Sequence, residues 1–202
     1  MKLSEAFQMP TPMKISERSS SITAAFVTAI VPQVEPREEE IREALNILEM
    51  SPDRIECVYC GGSYSEWDHL RPLVSGQKPT GFITEIRNLV PSCGKCNQSK
   101  GNKDWKVWMM SDARLSPKSR GVKDIELRMG RLTKYEQWGD LVPIDLSAFV
   151  TKEDWDQHWE NWKTLLRAMN DAQKHAAILK ATIQKKITSS NKAIQPTAYS
   201  GG

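Results

Sequence analysis

Four cysteines occur in the sequence as two pairs, each with the spacing of a metal-binding knuckle. Cys57-x-x-Cys60 and Cys93-x-x-Cys96 each present two sulfur atoms at zinc-ligand spacing, and together they complete a tetrahedral set. Because four sulfur ligands leave no open position, we predict a structural zinc ion and not a catalytic one. The alternative interpretation is a set of buried structural cysteines or a redox pair.

The segment between the two pairs holds polar residues inside a pattern of short elements. Residues 66–72 read Glu-Trp-Asp-His-Leu-Arg-Pro, and residues 83–90 are rich in β-branched side chains typical of a strand. Residues 97–103 follow the last cysteine and are predicted to form a short helix. The sequence therefore predicts a strand, a loop, a strand and a helix held together by zinc, within an α+β fold with flanking helices.

One family pattern joins these residues. The run W-D-H-L-R-P, followed by R-N-L-V-P-S-C-G-K-C-N-Q-S-K-G, resembles the HNH (ββα-metal) nucleases that have a four-cysteine zinc site, in particular stand-alone HNH restriction endonucleases. The resemblance covers residues 57 to about 103, a quarter of the chain. It implies a ββα-metal core that hydrolyses phosphodiester bonds with a divalent cation.

The resemblance implies a role for each polar position. His69 corresponds to the general base that activates water, and Asp68 and Asn97 correspond to ligands of a catalytic Mg²⁺ or Mn²⁺ ion. Asn88 corresponds to a residue that orients the loop carrying His69. Some family members have histidine at position 97; the amide oxygen here favours a hard cation over a soft transition metal.

Charge is concentrated in the middle of the chain. The whole sequence has a net charge of +3, but residues 87–134 contain twelve cations and four anions, a net charge of +8. This distribution favours a phosphate-binding surface, although a solvated helix face would produce the same pattern. The residues predicted to contact DNA are Arg71, Lys95, Lys100 and Lys103.

Periodicity predicts the flanking elements. Apolar spacing predicts amphipathic helices over residues 37–49 and 152–187 and a basic helix over 118–137. Residues 22–31 are expected to form an edge strand or a packed arm. The predicted organisation is a partly flexible N-terminal arm (1–34), a helix plus nuclease core (35–110), a helical C-terminal region (111–189) and a disordered tail (190–202).

These features favour one function over two others. The first hypothesis is a cytoplasmic type II restriction or other defence endonuclease, acting on double-stranded DNA as a homodimer and with a companion methyltransferase. The second is a sequence-nonspecific nicking, repair or toxin-like nuclease. The third is a zinc-dependent nucleic-acid-binding module without catalysis. No apolar run is long enough to span a membrane, and no secretory signal is recognisable.

Overall fold

Two compact units make up the described chain. The computed structural model describes residues 9–193. One unit comprises Thr23–Lys152, and the other combines the chain before residue 23 with the chain after residue 152. The helices are α1 (Ser19–Thr28), α2 (Glu38–Ile47), α3 (Gly94–Lys100), α4 (Trp105–Met109), α5 (Ile125–Gln137) and α6 (Lys152–Ala193), and the strands are β1 (Glu66–His69), β2 (Val74–Ser75), β3 (Lys78–Pro79) and β4 (Leu89–Ser92).

The predicted α+β core is confirmed as a strand–strand–helix arrangement. β1 pairs with β4 in antiparallel register, from Glu66 opposite Ser92 to His69 opposite Leu89. α3 follows β4 after Cys93. The excursion between the two strands contains the β2–β3 hairpin, whose turn residues Gly76 and Gln77 both have positive φ, as a two-residue type I′ turn requires.

Buried aromatic residues form the base of this core. Trp105 and Trp108 of α4 are buried, and Asp104 caps the helix by accepting a hydrogen bond from Val107 N at 2.9 Å. The Trp108 ring packs edge-to-face on Tyr59, with ring centroids 5.1 Å apart. Trp67 of β1, in contrast, is 51% exposed.

Two segments outside the core are hydrogen-bonded to it. Val34 N donates to Thr84 O at 2.9 Å, and Thr84 N donates to Pro32 O at 3.1 Å. From the C-terminal side of the zinc-bounded segment, the buried Tyr135 of α5 donates its hydroxyl hydrogen to Leu89 O at 2.9 Å. The chain between β3 and β4 is therefore held by residues on both sides of the zinc-bounded segment.

Residues 22–31 do not form the expected edge strand, since α1 covers most of this stretch. The β-branched side chains weigh against a helix by only a few tenths of a kcal/mol each, and alanines at 24 and 25 favour one. Thr23 and Val27, one helical turn apart, are both buried. Burial of one helical face therefore outweighs the local preference for a strand.

The predicted strand over 83–90 is also shorter than expected. Ile86–Asn88 form a single 3-10 turn, and the strand begins only at Leu89. The helices predicted over residues 37–49 and 118–137 are confirmed with shorter bounds, Glu38–Ile47 and Ile125–Gln137.

The second unit is dominated by α6. Its first turns carry Trp155, Trp159 and Trp162, whose rings stack edge-to-face with centroid separations of 5.7 and 6.0 Å. The helix continues to Ala193, so the first residues of the predicted disordered tail are helical, and residues 194–202 lie outside the described residues. Within residues 9–193, no helix combines the length and the apolar character needed to cross a membrane.

Candidate active site

The four cysteines meet at one place. Their sulfur atoms all lie within 4.8 Å of one another, and Cys60 Sγ and Cys93 Sγ are 3.8 Å apart. Four sulfurs at a zinc–sulfur bond length of about 2.3 Å would be separated by about 3.8 Å in a regular tetrahedron. The site therefore fits a zinc ion with four sulfur ligands and no open coordination position, as the cysteine spacing predicted.

The first knuckle connects the sulfur cluster to the polar site. Tyr59 lies between the two cysteines of this knuckle and is completely buried. Its hydroxyl donates a hydrogen bond to Asp68 Oδ2 at 2.7 Å. Burial and the neighbouring Asp68 raise the pKa of this phenol well above its usual range, so it remains a donor at neutral pH. Nothing in the sequence pattern singled out Tyr59.

Lys100 occupies a different place from the one predicted. We expected it on the phosphate-binding surface, but its side chain is fully buried. Its ammonium nitrogen lies 3.2 Å from Asp68 Oδ2 and donates to His69 O at 2.7 Å. Lys100 is therefore not available to contact phosphate in this arrangement; it ties α3 to the end of β1.

Burial perturbs both members of this ion pair. It raises the pKa of Asp68, although Lys100 and Tyr59 oppose the rise by stabilising the carboxylate. It lowers the pKa of Lys100, and Asp68 opposes that change. A buried carboxylate with two donors is thus available on β1, but both of its oxygens already have partners.

His69 is held by a residue that the sequence analysis missed. Its Nε2 lies 2.9 Å from Thr84 Oγ1. Burial first, and then the positive charge of Lys100, lower the pKa of the imidazole to about 4. The ring is therefore neutral at neutral pH and can accept a proton. Thr84 could not have been identified from the sequence because no motif position marks it.

The side chain of Asn88 closes the loop that follows His69. Its Oδ1 accepts a hydrogen bond from Arg71 N at 2.8 Å, and its Nδ2 donates to Arg71 O at 3.1 Å and to Ile83 O at 3.3 Å. Asn88 is completely buried, and Leu70 N donates to its carbonyl oxygen at 2.8 Å. The backbone on both sides of this loop is thus fixed by one amide side chain.

Asn97 faces β1 one helical turn before Lys100. Its Nδ2 donates to Glu66 Oε2 at 2.5 Å. The contacts Glu66–Asn97 and Asp68–Lys100 therefore form two successive links between one face of β1 and one face of α3. Glu66, Asp68 and Asn97 thus lie on facing elements, and carboxylate and amide oxygens are the types of ligand that Mg²⁺ and Mn²⁺ prefer. Glu66 was not among the predicted site residues.

The remaining residues predicted to bind DNA divide into two groups. Lys95 and Lys103 are exposed, at the start of α3 and just beyond its end. Arg71 is half-buried: its guanidinium donates to Glu136 O and lies over the Phe82 ring, 5.5 Å from the centroid. Arg71 therefore has protein partners that would compete with a phosphate.

Comparison with known proteins identifies the same segment. The model of the HNH endonuclease family matches residues 57–103. The chain is also 44% identical over 57 residues to the CRISPR-associated endonuclease Cas9 of Corynebacterium diphtheriae, a match that covers 26% of this chain and 5% of that relative. No solved structure matches the chain. This chain therefore contains an HNH endonuclease domain at residues 57–103, within the unit that gathers the four cysteines, Asp68 and His69.

Proposed function

We propose that this chain is a divalent-metal-dependent DNA endonuclease that hydrolyses phosphodiester bonds with a water molecule activated by His69. The observation that carries the proposal is a buried carboxylate, Asp68, next in sequence to the neutral imidazole of His69 on a strand that α3 contacts through Asn97 and Lys100. A lone histidine at a strand end would be ordinary. Its combination with Asp68, Asn88 and Asn97 in an HNH domain favours catalysis.

In this proposal His69 is the proton acceptor. In the tautomer whose Nε2–H donates to Thr84 Oγ1, Nδ1 is the unprotonated nitrogen that takes a proton from the attacking water. Thr84 fixes the orientation of the ring, and Asn88 fixes the loop that follows it. The low pKa of His69 keeps the acceptor form available at neutral pH.

Asp68 and Asn97 would hold the catalytic cation, Mg²⁺ or Mn²⁺. Glu66 accepts a hydrogen bond from Asn97 and so lies next to the proposed cation site. A bound cation would supply positive charge against the phosphate oxygens and the leaving 3′ oxygen. In the absence of a cation, the positive charge of Lys100 favours the ionised form of Asp68 and opposes the effect of burial on its pKa. Lys95 and Lys103 are exposed beside the site and are the proposed phosphate contacts.

The biological role that we propose is restriction or another form of defence against foreign double-stranded DNA. A homodimer would then cut both strands at a short two-fold-symmetric site, and a companion methyltransferase would protect the host. A sequence-nonspecific nicking, repair or toxin-like nuclease would use the same site. Digestion of genomic DNA separates the two: a defined set of fragments supports restriction, whereas a smear supports the nonspecific enzyme.

One observation favours a second function. Both oxygens of Asp68 have protein partners, an arrangement that would suit a structural ion pair in a zinc-dependent nucleic-acid-binding module without catalysis. That module would bind DNA but leave it intact.

A supercoiled-plasmid assay with Mg²⁺ or Mn²⁺ tests the enzyme proposal. We expect the wild-type protein to nick or linearise the plasmid, and both His69→Ala and Asp68→Asn to reduce the rate by at least about 100-fold. His175→Ala is the matched control, because it removes an exposed imidazole on α6. Asp68→Asn is preferable to alanine because it keeps a group that Tyr59 can donate to.

The enzyme proposal fails if His69→Ala cuts as fast as the wild type, or if the pure zinc-loaded protein binds DNA but cleaves no substrate. The second result supports the binding module.

A further inference from the structure

The segment that follows the HNH domain returns to the sulfur cluster. Lys118 N donates to Met109 O at 3.1 Å, and Arg120 N donates to Ser116 O at 3.1 Å. The buried Ser116 donates its hydroxyl hydrogen to Ser111 O at 2.7 Å. These bonds fold residues 111–121 into a compact turn, which places the Arg120 side chain against Cys96.

The contact made by Arg120 is unlike those of neighbouring cations. Its Nη1 donates to Cys96 Sγ at 3.2 Å. Among the described residues, no carboxylate forms an ion pair with Arg120, whereas Lys118, two positions earlier, pairs with Asp112 at 2.9 Å. The ionic partner of Arg120 is therefore the thiolate set itself.

The chemistry of a closed zinc site gives this contact a purpose. Four thiolates around one Zn²⁺ carry a net charge of −2, and Cys57 and Cys96 are completely buried. A guanidinium N–H directed at one sulfur offsets part of that charge through a charge-assisted hydrogen bond. Groups that hydrogen-bond to metal ligands in this way change metal affinity by roughly 10- to 100-fold.

A second arginine supports the same knuckle in a different way. Arg128 of α5 is buried, and its Nη1 donates to Glu56 Oε1 at 2.9 Å and to Cys57 O at 3.3 Å. Arg128 thus holds the backbone that carries the first cysteine, whereas Arg120 contacts a sulfur. The contrast separates a structural support from a group that acts on the metal–sulfur bonds.

We propose that Arg120 is an outer-sphere hydrogen-bond donor to the zinc thiolates and slows the loss of the metal. The zinc centre of this chain accordingly extends past the HNH domain, which ends at Lys103, to residue 120. The inference is independent of nuclease activity, because it concerns retention of zinc and not cleavage of DNA.

The rate of zinc transfer to the coloured chelator 4-(2-pyridylazo)resorcinol tests the proposal on the zinc-loaded 202-residue chain, without denaturant. We expect Arg120→Gln to release zinc about 10-fold faster than the wild type, because its sulfur partner loses a charged donor. Arg120→Lys keeps the charge and should release zinc at an intermediate rate. Lys118→Gln is the matched control, since it removes a cation from the same segment without touching sulfur.

A spectroscopic measurement distinguishes this role from a merely structural one. In protein refolded with Co²⁺ in place of zinc, the sulfur-to-metal charge-transfer band reports the electron density on the thiolates. Loss of a hydrogen bond to sulfur should shift that band to lower energy in Arg120→Gln and not in Lys118→Gln. Zinc release at the wild-type rate, or an unshifted band in Arg120→Gln, would overturn the proposal.

Discussion

The ammonium group of Lys100 lies in the protein interior, where it faces Asp68 and the carbonyl oxygen of His69. The sequence pattern placed a lysine at this position and suggested a phosphate partner, because lysine is usually exposed. A sequence pattern gives the residue type and its position on the helix, but it does not show whether that face of the helix is buried. The burial of Lys100 follows from tertiary packing, which puts Asp68 and Lys100 on facing elements.

Replacing Lys100 with methionine should therefore destabilise the fold. Asp68 would be left buried without a cation, and breaking a buried ion pair on one side costs about 3–5 kcal/mol. The double variant Lys100→Met with Asp68→Asn should recover much of that loss, because no charge then remains buried. Urea unfolding of the zinc-loaded variants measures both effects.

A loss below about 1 kcal/mol in Lys100→Met would contradict the ion pair. So would a double variant less stable than the single one, since the two changes would then be independent or additive.

At the scale of elements, the predictions that were confirmed depend on patterns among residues close in the sequence. The cysteine spacing, the apolar period of α2 and the tryptophan stripe of α6 each depend on residues close in the chain, and each element formed. The contacts of Tyr59 and Thr84 join residues 9 and 15 positions apart across different elements, so no local pattern encodes them.

Gly61 shows how an element outside the motif constrains the first zinc knuckle. Its φ is +74°, and a Cβ built there would lie 2.3 Å from Arg128 Nη2 of α5. That guanidinium is held by Glu56 and Asp124 at 2.9 and 2.8 Å, so it cannot easily move aside. The turn therefore requires glycine both for its backbone conformation and for the space it leaves.

Gly61→Ala should lower the free energy of unfolding by about 2 kcal/mol or more, from left-handed strain of about 1 kcal/mol plus the steric conflict. Gly130→Ala in α5 is the matched control. A Cβ added at residue 130 would meet no atom within 4 Å, and alanine favours a helix, so this change should stabilise by about 0.5–1 kcal/mol. Thermal or urea unfolding that gave both variants the same stability would refute the argument.

At the scale of the whole molecule, the central excess of cations is less available to DNA than its total suggests. Within residues 87–134, seven of the twelve cations contact a carboxylate or a sulfur. They are Arg87, Lys100, Lys106, Lys118, Arg120, Arg128 and Arg131. The other five, which are exposed, are Lys95, Lys103, Arg114, Lys123 and Lys134. Charge counting could not separate the groups, because the separation depends on tertiary partners.

Substitutions among the exposed apolar side chains of α6 would test the proposed homodimer. Leu179, Ile183 and Ile187 follow one another at one helical turn, and about half of each is exposed. If they pair two copies, Ile183→Asp should convert a dimer to a monomer, whereas Ala181→Asp on the opposite face should not. Light scattering measures the mass directly, and a monomeric wild-type protein, both free and on DNA, would remove the dimer from the proposal.

The bonds that Thr84 makes with Pro32 and Val34 determine how much of the chain an isolated, transplantable HNH domain would have to include. A cassette trimmed to the family boundaries, residues 57–103, would keep His69 but lose the backbone partners of the residue that orients it. It would also lose the Tyr135 hydroxyl that holds the start of β4. A transplantable version would have to begin before residue 32 and run beyond residue 135.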